Sequence, residues 1–266
     1  MKKTIITGLV VLTAGTLGLL AQTPAQAPSQ TPTAPVPKVK SKAEAEAVNA
    51  LMQQANARSA DGVIKAADDL VEKFSDTQFK EVALYLEATA YQQKHDNEKA
   101  QIYAERVLSM NPKNYQASLL VGEILASTTR ENDLDKEDKL TRAEKLLNDS
   151  ITNVQDAPKP NPQLTDAQWD EGKKEIAAEA HNDLGLVDLD RKKYDVAVNE
   201  FKTAQSMDPQ PAYEVRMASA LQLAGKNDDA VALCDKILAE PNLHPMIRQV
   251  AENVKRAAAA ASVPKK

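Results

Sequence analysis

The sequence predicts an all-α fold, and three observations carry that prediction. Alanine, lysine, glutamate, leucine and glutamine, the strong helix formers, dominate the chain. With 8 glycines and 4% aromatic residues, no Val/Ile/Thr alternation bounded by glycine turns supports a strand. The third is a spacing: a small residue, alanine twelve residues later, and proline after twelve more. Ala88, Ala100 and Pro112 make the pattern once, Gly185, Ala197 and Pro209 again, and Ala218 and Ala230 repeat its first half. Two antiparallel helices approach closely only where small residues meet, and proline marks where the second must stop. A recurrent unit of about 34 residues of this kind predicts an array of helical hairpins.

Along the chain, Lys2 and Lys3, the uncharged and mostly apolar run Ile5 to Leu20, and the small residues after it predict an export signal over residues 1–21. Cleavage is expected after Ala21 rather than after Ala27, which Pro28 follows. The alternative is an uncleaved anchor in the inner membrane. A span takes about 17–25 apolar residues, and this run is short and broken by Thr7, Thr13, Thr16 and three glycines. The expected address is therefore the periplasm or cell envelope, or else the inner membrane with the domain facing the periplasm. The sole cysteine, Cys234, leaves no intramolecular disulfide and no lipid-modified cysteine at the start of a mature chain.

Signal removal takes away only Lys2 and Lys3 and leaves 31 basic against 38 acidic residues, a net charge of −7. That sign argues against nucleic acid and against anionic membrane surfaces as partners. Membrane contact is expected only if the N-terminal segment stays uncleaved. Residues 22–40, with prolines at 24, 28, 32, 35 and 37, form a Pro-, Thr- and Gln-rich linker of extended character. It is expected to be a disordered tail or a spacer between the domain and an envelope layer.

Residues 41–261 are periodic, and 262–266 are expected to be a disordered tail. Ala66 and Ala100 lie 34 apart, as do Ala88 and Gly122. After Gly122 the next marker, Ala143, comes 21 residues on rather than 12. Nine extra residues in the charged stretch Arg130–Asp138 account for the delay. Ala143 to Ala197 is 54 residues, 20 beyond one period, with the surplus around Asp156 to Gly172. Insertions are thus predicted near 128–137 and 155–172. Thr165-Asp-Ala-Gln168 has the form of a capping box and starts a long helix to about Arg191. Gly225 closes a helix, and Pro245 starts a last one, about His244 to Ala260, suited to cover the end of an array.

The hairpins share more than one spacing. One unit carries Leu184-Gly185, Tyr194, Ala197, Phe201, Ala204 and Pro209; another carries Leu84, Ala88, Tyr91, Ala100, Val107 and Pro112. Ala218, Leu221, Ala230 and Ile237 make a third, Gly122, Leu125, Ala143 and Leu147 an interrupted one, and Ala66 with Leu70 a faint one. Over roughly Val48 to Leu243 this phase resembles the tetratricopeptide repeat family, in the form of an exported bacterial member. The resemblance implies a right-handed α-solenoid of four to five hairpins with a C-terminal cap helix. It also implies a non-enzymatic scaffold whose concave face, lined by the first helix of each hairpin, takes an extended or helical segment of another protein. The positions carried over to that groove are Tyr85, Thr89, Gln92, Leu119, Glu123, Asn182, Leu186, Leu189, Val215, Ser219 and Gln222. One subgroup clamps a C-terminal carboxylate with lysines, arginines and asparagines. Here only Asn182 could contribute such a group, so carboxylate capture is not expected. The mixed apolar and neutral surface suits an apolar helical face; the alternative is that these side chains pack between neighbouring helices.

No catalytic, cofactor-binding or metal-ligating cluster is expected, and neither a cofactor nor a small-molecule substrate. His95 falls in a turn, His181 on a first helix and His244 before the last one, without metal-ligand spacing. Cys234 falls on a core face. Asp133, Asp135, Glu137 and Glu144 have offsets resembling a calcium loop, but Asp138 stands where its sharp turn needs glycine, so a solvated charged loop is expected. Trp169 lies on one face with Ile176, Ala180 and Leu184, which suits packing against the preceding insertion, or else a partner anchor. A self-associating envelope module is the alternative function. An enzyme is a remote third, because no titratable groups converge.

Overall fold

The computed structural model describes residues 37–262. The predicted export signal (1–21), most of the 22–40 linker and residues 263–266 lie outside the described residues. Those described form α1 (Lys42–Asn56), α2 (Ala60–Lys73), α3 (Lys80–Gln93), α4 (Asn97–Met110), α5 (Tyr115–Thr128), α6 (Lys136–Gln155), α7 (Asp166–Asp190), α8 (Tyr194–Met207), α9 (Pro211–Leu223), α10 (Asn227–Leu238) and α11 (Pro245–Ser262). They are five successive hairpins and a final helix, an all-α solenoid. α4 and α8 stop two residues short of Pro112 and Pro209, which lack the N–H that would continue them.

The chain divides into two compact units. One gathers the described residues up to Ala117 with Asp156–Lys173; the other gathers Ser118–Gln155 with those from Lys174 onward. In the first unit the core joins Leu51 and Met52 of α1, Val63, Ala67 and Leu70 of α2, and Phe79, Ala83 and Leu86 near and on α3. The marker alanine of this hairpin is not Ala66. Val63 takes that place, the fourth residue of its helix as Ala100 is of α4, and it is buried where Ala66 is only half-buried. The extra length sits in the turn at 74–79, which an alanine-for-alanine alignment overlooks. Ser41, Ser59 and Asp96 cap α1, α2 and α4, each accepting from a backbone N–H three residues on.

Trp169 also belongs to the first unit. It is 4% exposed, its Nε1 donates to Ala157 O at 3.1 Å, and its ring lies 6.3 Å from that of Tyr115. The tryptophan therefore packs on the 156–165 segment. Lys159 of that segment is buried and pairs with Asp166 at 3.0 Å. The capping box forms as predicted: Thr165 N donates to Gln168 Oε1 and Gln168 N to Thr165 Oγ1.

In the second unit the small residues do what their spacing suggests. A Cβ on Gly122 would lie 2.7 Å from Leu147 of α6, and one on Gly185 would lie 2.5 Å from Phe201 of α8. The nine-residue surplus is shared out: residues 129–135 loop out, while the rest lengthens α6 to 20 residues. Four turns place a residue in the left-handed region directly after a first helix: Arg58, His95 and Lys192 near φ +60°, and Gly225 at +76°. Only the last is the glycine that this conformation favours.

Candidate functional site

α3 carries Tyr85, Thr89 and Gln92, all half-buried; the Thr89 hydroxyl turns back to donate to Leu86 O at 2.8 Å. In the second unit Leu119 and Glu123 of α5, Leu186 and Leu189 of α7, and Ser219 and Gln222 of α9 are half-buried. Leu186 and Leu189 lean on the cluster of Ala197, Phe201 and Ala220, so packing between helices accounts for part of their surface. Val215 is not on an open face: it is 4% exposed in a core with Ile237 and Ala251, because α11 folds back over α9. Asn182 is equally buried, within a polar network.

That network is the most distinctive chemistry of the second unit. Arg216 Nη1 of α9 donates to Asn182 Oδ1, and Asn182 Nδ2 donates to Asp183 Oδ1 at 2.9 Å. Asp183 is 4% exposed and its Oδ2 has no hydrogen-bond partner. Burial drives its carboxyl well above the usual carboxylate range; Glu123 and Glu179 add to this, and Arg216 and the Asn182 bond oppose it. Glu179, one turn earlier on α7, is pushed up to about 7 by desolvation and then by Glu123. Its surface is nonetheless exposed. Tyr213 of α9, raised mainly by burial, feels the charges of Glu179, Asp208 and Asp183.

Glu123 and Asn182 are legible in the sequence as groove positions; Glu179, Asp183, Tyr213 and Arg216 are not. The available signal is the run Glu175, Glu179, Asn182 and Leu186, which lies on one stripe of α7 at helical spacing.

The remaining candidates have structural places. His181 Nδ1 meets Glu200 Oε2 at 2.7 Å, His244 Nδ1 accepts from Met246 N at the start of α11, and His95 is exposed in its turn. Cys234 is fully buried, and burial raises its thiol. The acidic stretch resembling a calcium loop is bound up with cations instead. Lys139 meets Asp133 at 3.0 Å and Asp135 at 2.9 Å, and Arg191 meets Glu137 at 2.7 Å and Glu144 at 2.6 Å. Glu131, flanked by Lys136 and Lys192, is held down to about 2. Among the described residues no group of three or more His, Cys, Asp or Glu side chains is placed to hold a metal ion.

Residues 82–114, which cover most of α3, all of α4 and the following turn, match the family model of the tetratricopeptide repeat. The crystal structure of a thermophilic TPR protein of Thermus thermophilus is similar with a TM-score of 0.54 and 17% identity, over 79% of this chain and 98% of that one. The crystal structure of MamA protein is similar with a TM-score of 0.53 and 14% identity, over 84% and 97%. The MamA RS-1 ArsTM double mutant gives 0.52 and 13%, over 84% and 99%. No curated protein sequence matches the chain. The likenesses establish a tetratricopeptide-type α-solenoid.

Proposed function

We propose that the chain is a non-enzymatic scaffold that binds a segment of another protein along the first helices of its hairpins. The observation that carries this is the side of α5, α7 and α9 bearing Leu119, Glu123, Leu186 and Ser219: half-buried side chains of mixed polarity beside the polar network of Asn182, Asp183 and Arg216, on a fold of the tetratricopeptide type. Such folds generally present helix faces to polypeptide partners. The Lys2-Lys3 start and the apolar run after it support a place in the periplasm or envelope.

The test is affinity capture of the full chain with crosslinking in intact cells. A discrete partner is expected, and Tyr85→Glu and Leu119→Glu should each reduce its recovery while leaving the helical circular dichroism unchanged. Retention of the partner by both variants would count against this face. N-terminal sequencing of the same preparation is expected to begin at Gln22. Self-association is a second reading, favoured by Met246 and Val250, exposed one turn apart on α11. Light scattering across concentration decides it, since a monomer throughout removes that reading.

A further inference from the structure

Residues 38–40 close the proline-rich linker, and they are tied to the fold before its first helix starts. Lys38 N donates to Gln78 Oε1 at 2.9 Å, and Lys40 N donates to Glu44 Oε2 at 2.5 Å. The Lys40 ammonium donates to Asp76 O at 2.7 Å and to Asp76 Oδ2 at 2.6 Å. Val39, between the two amides, stays open to solvent. Glu44 anchors the set from the other side. It is the third residue of α1, it is 1% exposed, and its own N–H donates to the capping Ser41 Oγ. In a capping box such a glutamate reaches back to the N–H of the cap. Here it reaches one residue further, to Lys40.

The gripping residues come from a turn that is longer than its counterpart. Six residues, 74–79, join α2 to α3, whereas four, 111–114, join α4 to α5. Bonds of its own hold the longer turn. Thr77 N donates to Phe74 O at 3.0 Å and Phe79 N to Thr77 Oγ1 at 3.2 Å, with Thr77 and Phe79 buried. Asp76 and Gln78 flank this buried threonine and face the end of the linker.

We propose that the 74–79 turn clamps residues 38–40, so that the linker leaves the fold at one fixed place and α1 is stapled at its start. Helix ends are where fraying begins, and the clamp ties the first turn of α1 to a segment two helices away. A pull on the linker then loads α1 and the α2–α3 turn together instead of peeling α1 from Ser41. The exposed Lys40–Asp76 ion pair contributes little by itself. The two amide bonds matter more, because losing Lys40 N would leave the buried Glu44 carboxylate short of a donor. The clamp is independent of the scaffold function proposed above.

The test is amide hydrogen exchange on the full chain, with limited trypsin digestion as a second readout. The Lys38 and Lys40 amides are expected to exchange at least about tenfold more slowly than in a free peptide of residues 34–44. Gln78→Ala should return Lys38 to the free rate while Lys40 stays slowed. Trypsin must draw the Lys40 side chain into its own pocket, so it should cut after Lys40 more slowly than in the peptide. Asp76→Ala should speed that cut about threefold, the share of an exposed ion pair. Exchange of both amides at the free rate in the wild type would overturn the clamp, as would tryptic cutting after Lys40 at the peptide's rate. Slow exchange of Lys38 that Gln78→Ala leaves unchanged would overturn it as well. The wild-type comparison decides the matter even if a variant folds poorly.

Discussion

Glu87 shows how one carboxyl can set the pH dependence of the fold. It sits 1% exposed on α3, hydrogen-bonded to Tyr103, and burial raises it from 4.5 to about 7. The folded state thus holds the proton more tightly than the unfolded chain does. Stability is full below about 4.5 and falls as pH rises toward 7. Glu87→Gln should stabilise the protein by roughly 2–3 kcal/mol at about pH 8 and by little at about pH 4, as read by urea unfolding at the two values. His95 offers a second test at this scale. It holds a left-handed backbone that Gly225 adopts more cheaply in its own turn, so His95→Gly should add about 0.5–1 kcal/mol by the same measurement.

Among elements, the hairpin joint at Gly185 is the least forgiving. Gly185→Ala drives a Cβ into the Phe201 ring and should cost about 1–3 kcal/mol, whereas Gly172→Ala, with Trp169 at 3.5 Å, should cost far less; thermal melts of the pair compare them. The twelve-residue spacing makes these joints legible because close helix packing needs small residues at fixed positions. The first hairpin escapes correct alignment for the same reason: Leu51 and Val63 stand at the two positions twelve apart where later hairpins carry small residues, so the marker is missing. The surplus before Ala143 reads in the sequence as turn alone, although acidic residues at the start of α6 favour helix at an N-terminus and extend it backward.

For the whole molecule, the fold is far more legible than the site. Periodicity reports which faces are buried, and it does so wherever small residues hold the spacing. The polar network of Asn182, Asp183 and Arg216 depends on what two different helices bring together, and no spacing within one helix encodes that. Spacing misplaces Val215 on similar grounds, since only the return of α11 over α9 decides whether that face is open. That return predicts the effect of truncation. A chain ending before Pro245 uncovers Val215 and Ile237 and should lose several kcal/mol, with association that grows with concentration in light scattering.

The loop at 129–135 has a practical consequence of its own. Leu134 stands wholly exposed there, while the backbone on either side is tied down by ion pairs of Asp133 and Glu131 with Lys139, Lys136 and Lys192. Salt loosens such pairs and leaves apolar helix joints intact. Limited proteolysis with an enzyme that cuts after leucine should therefore nick the described part of the chain first at this bond, faster as ionic strength rises, and yield two fragments that stay associated. The loop would then serve as a built-in gauge of ionic surroundings, readable on a gel.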